Sequence, residues 1–241
     1  MSSVTEPQGE KGIGQETPKP RHGPSSPDLI YNRIVQGLYQ GRYVPGQRLS
    51  EPAIMSEYGT SRSSVREALR RLAGEGIVSL NLYRGAYIRA LSREEAIDTL
   101  LLLEMLVGLS ARLAAERIGI GDNRERFNAT VQQLVGFEKG GEFLQFVRAR
   151  NRFYKTLTDI ANNREIDRVL PSMQVHLVRI QFRDSDDNLE KVRFDDYRDI
   201  AEAVLAGEPN WAEKMARQHV AHVRRSIEHL PDSAFIASEP K

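Results

Sequence analysis

Two groups of residues in this 241-residue sequence have the types and spacing to do chemistry, and each is built around arginine. The first lies in Thr60-Ser61-Arg62-Ser63-Ser64-Val65-Arg66-Glu67-Ala68-Leu69. On a helix Val65, Ala68, Leu69 and Leu72 share one face, while Arg62 and Arg66, four apart, project together from another. Ser61, Ser63 and Ser64 offer short donors at the helix start, where free amides and the helix dipole favour phosphate. Two arginines reaching out from the first turns can read guanine O6 and N7 in a major groove. The alternative is a solvated basic face held by Glu67 and Glu75.

The second group centres on Arg150. Phe143, Phe146, Val147, Arg150, Phe153, Tyr154 and Leu157 form one stripe at helical spacing, so a guanidinium falls on an apolar face, where an unpaired charge is unfavourable. Either it reaches the rim or pairs with an internal acid, or it grips an anionic ligand bidentately. Tyr154 is one turn away, Tyr197 lies near Val192, Ile200 and Val204, and His219 lies among Met215, Val223 and Ile227. Two phenols and an imidazole beside an arginine suit a small carboxylate. His219 reads equally as a hydrogen-bonded core histidine, and His176 and His222 could also face inward. Trp211 reads as a core residue at a helix start, and Arg224-Arg225 as a complement to their helix dipole.

Enzyme chemistry finds little support. The chain has no cysteine, which removes thiol nucleophiles, iron–sulfur clusters and the usual structural zinc sites. There is no Gly-rich phosphate loop, nucleophile elbow or His/Glu metal spacing, so no catalytic residue and no cofactor are expected. A cysteine-free chain without a signal-peptide core or an apolar run near the ~18–20 residues of a membrane span suits the cytoplasm, with no membrane partner.

The charge is uneven. Overall 34 Lys+Arg face 33 Asp+Glu, yet residues 27–91 hold nine Arg, no Lys and five acids. The segment after it is net acidic, so an anionic partner is expected for the front half only.

The elements that must position these residues follow from periodicity. Residues 1–26, with four prolines and few large apolar side chains, are expected to be a disordered arm. Leu29, Ile30, Ile34, Val35 and Leu38 mark one helix. A short helix follows Ser50, read as its N-cap, and ends at Gly59; a second starts at Thr60 or Ser61 and stops near Gly74–Gly76. Two short helices about a tight turn are a helix-turn-helix, and Ile77–Leu80 with Ala86–Ile88 read as a hairpin packed beside it, a wing. Beyond Leu91 all is helical: near 93–118, 123–138, 142–161, 164–183 with a kink at Pro171, 189–206 and 210–229. Capping boxes are expected at Ser92/Glu95 and Asp122/Glu125. The fold class is therefore mainly α: a winged helix-turn-helix over 27–91, then an all-α antiparallel bundle over 92–230 and a flexible tail over 231–241.

Leu49-Ser50-Glu51, Ser61 through Leu72, Glu75-Gly76-Ile77-Val78 and Arg84-Gly85-Ala86, in this order and spacing, resemble the winged helix of GntR-family bacterial transcriptional regulators. The resemblance implies that Arg62 and Arg66 contact bases and phosphates of double-stranded operator DNA, that Ser63 and Ser64 support them, and that Arg84-Gly85 enters the minor groove. Where family members carry a DNA-touching Arg this chain has Pro52, so that contact is lost or shifted to Arg48. Ser110 through Arg117, Arg152-Phe153, Asp199-Ile200, Ala206-Gly207, Met215 and His219 resemble the FCD-type effector and dimerisation domain of the FadR-like subfamily, nearer its six-helix branch. That resemblance implies a homodimer on a near-palindromic operator. Relatives often hold a divalent metal with an Asp and three His. Here those positions are Arg150, Tyr154, Tyr197 and His219, so no metal is expected, and a small carboxylate effector is expected instead. The other reading is a DNA-binding adaptor or structural protein whose bundle only dimerises.

Overall fold

The computed structural model describes residues 26–81, 85–170, 192–232 and 235. Residues 1–25 of the expected arm, Arg84, Pro171 and His176 lie outside them, while Ser26, expected to end the arm, already opens the first helix.

Helix α1 (Ser26–Tyr39) buries Ile30, Ile34 and Leu38, four residues apart, against α3 (Arg62–Gly74). From α3 the buried side is Val65, Ala68, Leu69 and Leu72, all 2% exposed or less, so the 3.6-residue period placed the arginines outward as the pattern required. Between them α2 (Glu51–Tyr58) carries Pro52 in its first turn, where a missing N–H is harmless, and ends on Gly59 at φ +60°. Ser61 caps α3: its Oγ accepts from the Ser64 amide at 3.2 Å. Ser50 occupies the N-cap position of α2 with extended backbone, but its hydroxyl makes no capping bond.

Strands β2 (Val78–Asn81) and β3 (Gly85–Ile88) form the expected antiparallel wing. A third strand, β1 (Arg48–Leu49), pairs with β3 and makes the sheet order β1-β3-β2. Two residues carry no alternation that a sequence pattern could reveal. Leu49, Ala86, Val78 and Ile88 seal the sheet onto the helices in one apolar core.

A second core begins at Leu91. Ser92 and Glu95 form the capping box of α4 (Arg93–Arg117), each side chain bonding the other's backbone amide. Helix α4 packs on α6 (Phe143–Ala161), α8 (Phe194–Ala206) and α9 (Pro209–Glu228), while α5 (Asn123–Val135) packs on α6 and α8. The element α7 is described over 164–170.

Several expectations are corrected. Asp122 precedes α5 without a capping bond, because its backbone (φ −94°, ψ 14°) is not the extended conformation a capping box needs. Instead it lies 3.7 Å from Arg126. Helix α5 ends at Val135 and tightens into a 3₁₀ turn, Gly136–Lys139. Helix α8 begins at Phe194 rather than 189, with Asp195 and Asp196 in its first turn, where the dipole favours acids. Trp211 is 37% exposed, at the rim of α9 rather than in the core. The start of the expected flexible tail is docked: Phe235 is buried, with the Arg93 guanidinium 4.5 Å from its ring centre. Arg93 also donates to the carbonyls of Glu228 and Leu230 and to the Asp232 carboxylate, each at 2.7 Å. The end of α9 is thus tied to the start of α4.

Candidate functional site

The first half of α3 carries a polar edge. The Ser61 hydroxyl lies 2.8 Å from that of Ser63 and 3.0 Å from that of Ser64, which holds the three serines together at the helix start. Arg62 and Arg66 emerge beside them, their side chains 63% and 53% exposed. Neither is held by Glu67 or Glu75. Glu75 instead accepts from the Tyr31 phenol and pairs with Arg71, whose guanidinium sits 4.0 Å above the Tyr31 ring and bonds Asp28 at 2.9 Å. These contacts clamp the far end of α3 to α1. The acid that meets the outward arginines is Glu51, the first residue of α2.

On the sheet, Arg48 is exposed and pairs in register with Tyr87. Gly85 opens β3 at φ +88°, a left-handed conformation that suits glycine, and a side chain there would begin 3.8 Å from Arg48 Nε. Arg48 and Gly85 are therefore neighbours at the wing.

In the bundle, α6, α8 and α9 bring Tyr154, Tyr197 and His219 together. The Tyr197 and His219 ring centres are 4.6 Å apart, and Tyr154 Oη lies 2.8 Å from His219 Nε2. Phe153 stacks edge-on against both tyrosines at 5.5 Å, so the cluster is walled by the apolar core. Arg150 is 8% exposed and engaged inside the bundle, which removes the possibility that it reaches the rim. Its charge is felt at Tyr154, Tyr197 and His219, and also at Tyr39 at the end of α1.

The sequence reading missed the acid at the centre of this cluster. Asp196, 7% exposed, takes contacts at one oxygen from His219 Nδ1 at 3.2 Å and His222 Nδ1 at 2.9 Å, with Arg193 Nε 3.3 Å from both oxygens. Burial alone would raise its pKa, but hydrogen bonds from the two imidazoles outweigh it and hold the carboxyl well below the usual range. A carboxylate only accepts, so His219 carries its proton on Nδ1 and its Nε2 accepts from the Tyr154 hydroxyl. Burial lowers the His219 pKa against the pull of Asp196, and burial pushes the Tyr154 and Tyr197 phenols up. At neutral pH the cluster therefore holds a neutral imidazole, two intact phenols, one carboxylate and one guanidinium. The signal for Asp196 was present in the i,i+3 pair His219/His222, which marks a shared face in need of an acceptor. An open cleft of about 430 Å³ lies elsewhere, between α4 and α9, lined by Glu104, Glu213, Lys214 and Arg217.

The buried cluster of the bundle is closed on itself, while the outward arginines and serines lie on the helix-turn-helix of the front half. Comparison with known proteins agrees. Residues 28–88 match the family described as bacterial regulatory proteins, gntR family, and residues 95–222 match the FCD domain. The chain is 27% identical over 188 residues to a protein named as the probable D-xylose utilization operon transcriptional repressor of Paenarthrobacter nicotinovorans, covering 78% of this chain and 82% of the relative. It is also 27% identical to the HTH-type transcriptional regulator YdhC of Bacillus subtilis, covering 83% and 89%. The crystal structure of a GntR transcriptional regulator from Rhodococcus sp. RHA1 superposes with a TM-score of 0.72 at 21% identity, over 85% of this chain and 98% of that one, and so shares the fold. A winged helix that presents two arginines, joined to an FCD bundle, places this chain in the GntR family of bacterial transcriptional regulators, as a DNA-binding regulator and not an enzyme.

Proposed function

We propose that the chain binds a near-palindromic operator as a homodimer and that a small organic acid in the bundle modulates this binding. The observation that carries the DNA reading is the outward face of α3, where Arg62 and Arg66 stand exposed beside a serine-rich helix start. Arg62, Arg66, Ser61, Ser63 and Ser64 would lie against the major groove, with Arg48 and Gly85 at the wing. Arg62→Ala and Arg66→Ala should each weaken operator binding by about 1–3 kcal/mol without unfolding the protein. Full affinity in both variants, by fluorescence anisotropy at fixed salt, would remove the assignment.

A second copy of the chain is supported by α4, where Leu101, Leu102, Met105 and Leu109 form an exposed apolar row, 39% to 59% exposed. Two copies related by a two-fold axis would present two recognition helices to two half-sites.

The effector reading rests on Arg150, Tyr154, Tyr197 and His219, gathered and buried between three helices. Arg150 would take a ligand carboxylate as a bidentate fork and the phenols would orient it. The Asp196 network favours a second reading as well, since it satisfies His219 internally and needs no ligand to do so. Calorimetry of wild type and Arg150→Ala against mono- and dicarboxylates, sugar acids and neutral controls decides between them. An acid that binds wild type, fails on Arg150→Ala and changes operator affinity supports the effector site; no response from any acid leaves a bundle that only dimerises.

A further inference from the structure

Glu51 is placed where a single carboxylate can govern both recognition arginines. It opens α2, its side chain 28% exposed, and it faces α3 across the helix-turn-helix. Arg66 Nε lies 3.2 Å from both of its oxygens, and Arg62 Nε lies 3.7 Å from Oε2. A solvent-exposed pair of this kind adds little to stability, so its effect must be sought elsewhere. Two features matter. The contact to Arg66 runs through Nε, the nitrogen nearest the backbone, which fixes the side chain's direction while keeping both terminal nitrogens for other acceptors. The carboxylate also sets a negative charge beside two positive ones on a face that must approach phosphates.

We propose that Glu51 is a specificity-determining residue for DNA binding: it aims Arg66 at a base edge and penalises contact of Arg62 and Arg66 with phosphates of arbitrary sequence. This rests on the reading of Arg62 and Arg66 as DNA contacts. On DNA of the wrong sequence the two arginines gain only phosphates, and each phosphate must compete with Glu51 for them. On the right sequence the terminal nitrogens of Arg66 bond a base while its Nε stays on Glu51, so the competition is avoided. The penalty therefore falls on phosphate contacts at the wrong sequence and is largely avoided at the right one, and this inequality raises the ratio of specific to non-specific binding. Pre-orienting the guanidinium also lowers the rotamer entropy lost on docking.

The test uses the full chain and two duplexes of equal length, one selected by the wild-type protein from a random-sequence pool and one a scramble of it. Glu51→Gln keeps the shape of the side chain and removes its charge. It should bind the scramble about 10-fold more tightly at low salt, with a slope of log affinity against log salt steeper by about one, and bind the selected duplex little better. The ratio between the duplexes should therefore fall by about 10-fold. Glu51→Asp, charged but shorter, should keep scramble binding low and weaken the selected duplex. Scramble affinity, salt slope and ratio all unchanged in Glu51→Gln, with an unchanged melting temperature, would overturn the proposal and leave Glu51 as a charge at the start of α2. Arg66→Ala separates the two levels. If it keeps the wild-type ratio, the recognition reading itself fails; if it loses the ratio while Glu51→Gln retains it, only the role of Glu51 fails.

Discussion

Replacing Asp196 by Asn tests whether the buried cluster of the bundle is organised by its carboxylate. The substitution conserves shape but exchanges one acceptor oxygen for an amide donor. Asp196 serves His219, His222 and Arg193 at once, at 3.2, 2.9 and 3.3 Å. An Asn whose oxygen takes the place of Oδ2 still meets both imidazoles, but as a neutral and weaker acceptor, and its amide group opposes the Arg193 guanidinium. A hydrogen bond to a charged acceptor contributes ~1.5–3 kcal/mol, and breaking one side of a buried ionic cluster costs about 3–5 kcal/mol. Because Arg193 is largely exposed and can turn to water, the lower part of that range applies, about 3 kcal/mol. For a chain of this size roughly 2–4 °C accompanies each kcal/mol, so the melting temperature should fall by about 6–12 °C at neutral pH. The pH dependence gives an independent check. The Asp196 carboxyl is held below its unfolded value, so its stabilisation is complete above about pH 4–5 and is lost as pH falls through the lower folded value. His219, held below its unfolded value of about 6.5 by burial, also contributes fully only above that pH and loses its contribution on acidification. Wild type should thus weaken as pH falls, and its advantage over Asp196→Asn should narrow from about pH 5 downward. Scanning fluorimetry across pH measures both. A variant that melts within about 2 °C of wild type at neutral pH, or a gap that stays constant down to about pH 3, would refute the reasoning.

Two further outcomes follow from the surface and the tail. Met105→Asp places a charge in the middle of the exposed α4 row; on the proposed dimer, light scattering at micromolar concentration should give dimer mass for wild type and monomer mass for the variant, and equal masses for the two would take the interface away from this row. Arg93→Ala removes a guanidinium shared by two carbonyls at the end of α9, the Asp232 carboxylate and the Phe235 ring, and should destabilise by about 2 kcal/mol. Faster amide exchange confined to residues 226–235 would localise the loss, and unchanged exchange there would contradict it.

Periodic features of the sequence carried most of the fold. Val65, Ala68, Leu69 and Leu72 are buried because a helix with that spacing has one apolar face, and the same geometry turned Arg62 and Arg66 outward. Features that depend on a partner distant in the chain were opaque. Arg66 meets Glu51, fifteen residues earlier, rather than the nearby Glu67, because α2 crosses the start of α3. Trp211, expected in the core at a helix start, stands at position three of α9 and faces the rim. Asp196 was hidden by its own neighbourhood. Asp195-Asp196 at a helix start is a common arrangement explained by the dipole alone, and only the return of α9 with His219 and His222 makes the second of the two a buried acceptor.

The join between the two cores bears on how a ligand could reach DNA. Leu91 and Ser92 are buried, and Arg89 of the front half pairs with Glu95 in the first turn of α4, so the junction is packed rather than loose. Tyr39, at the end of α1, touches both cores, and burial raises its phenol to about 12 while the Arg150 charge acts against that rise. One arginine therefore faces the tyrosine–histidine cluster on one side and the helix that braces the DNA reader on the other. An anion taken up by Arg150 would act beside the place where α1 packs on α6, the contact that joins the DNA reader to the bundle. Coupling of about 1.4 kcal/mol between the two sites suffices for a 10-fold change in operator affinity, a small fraction of what a buried guanidinium can exchange with its surroundings.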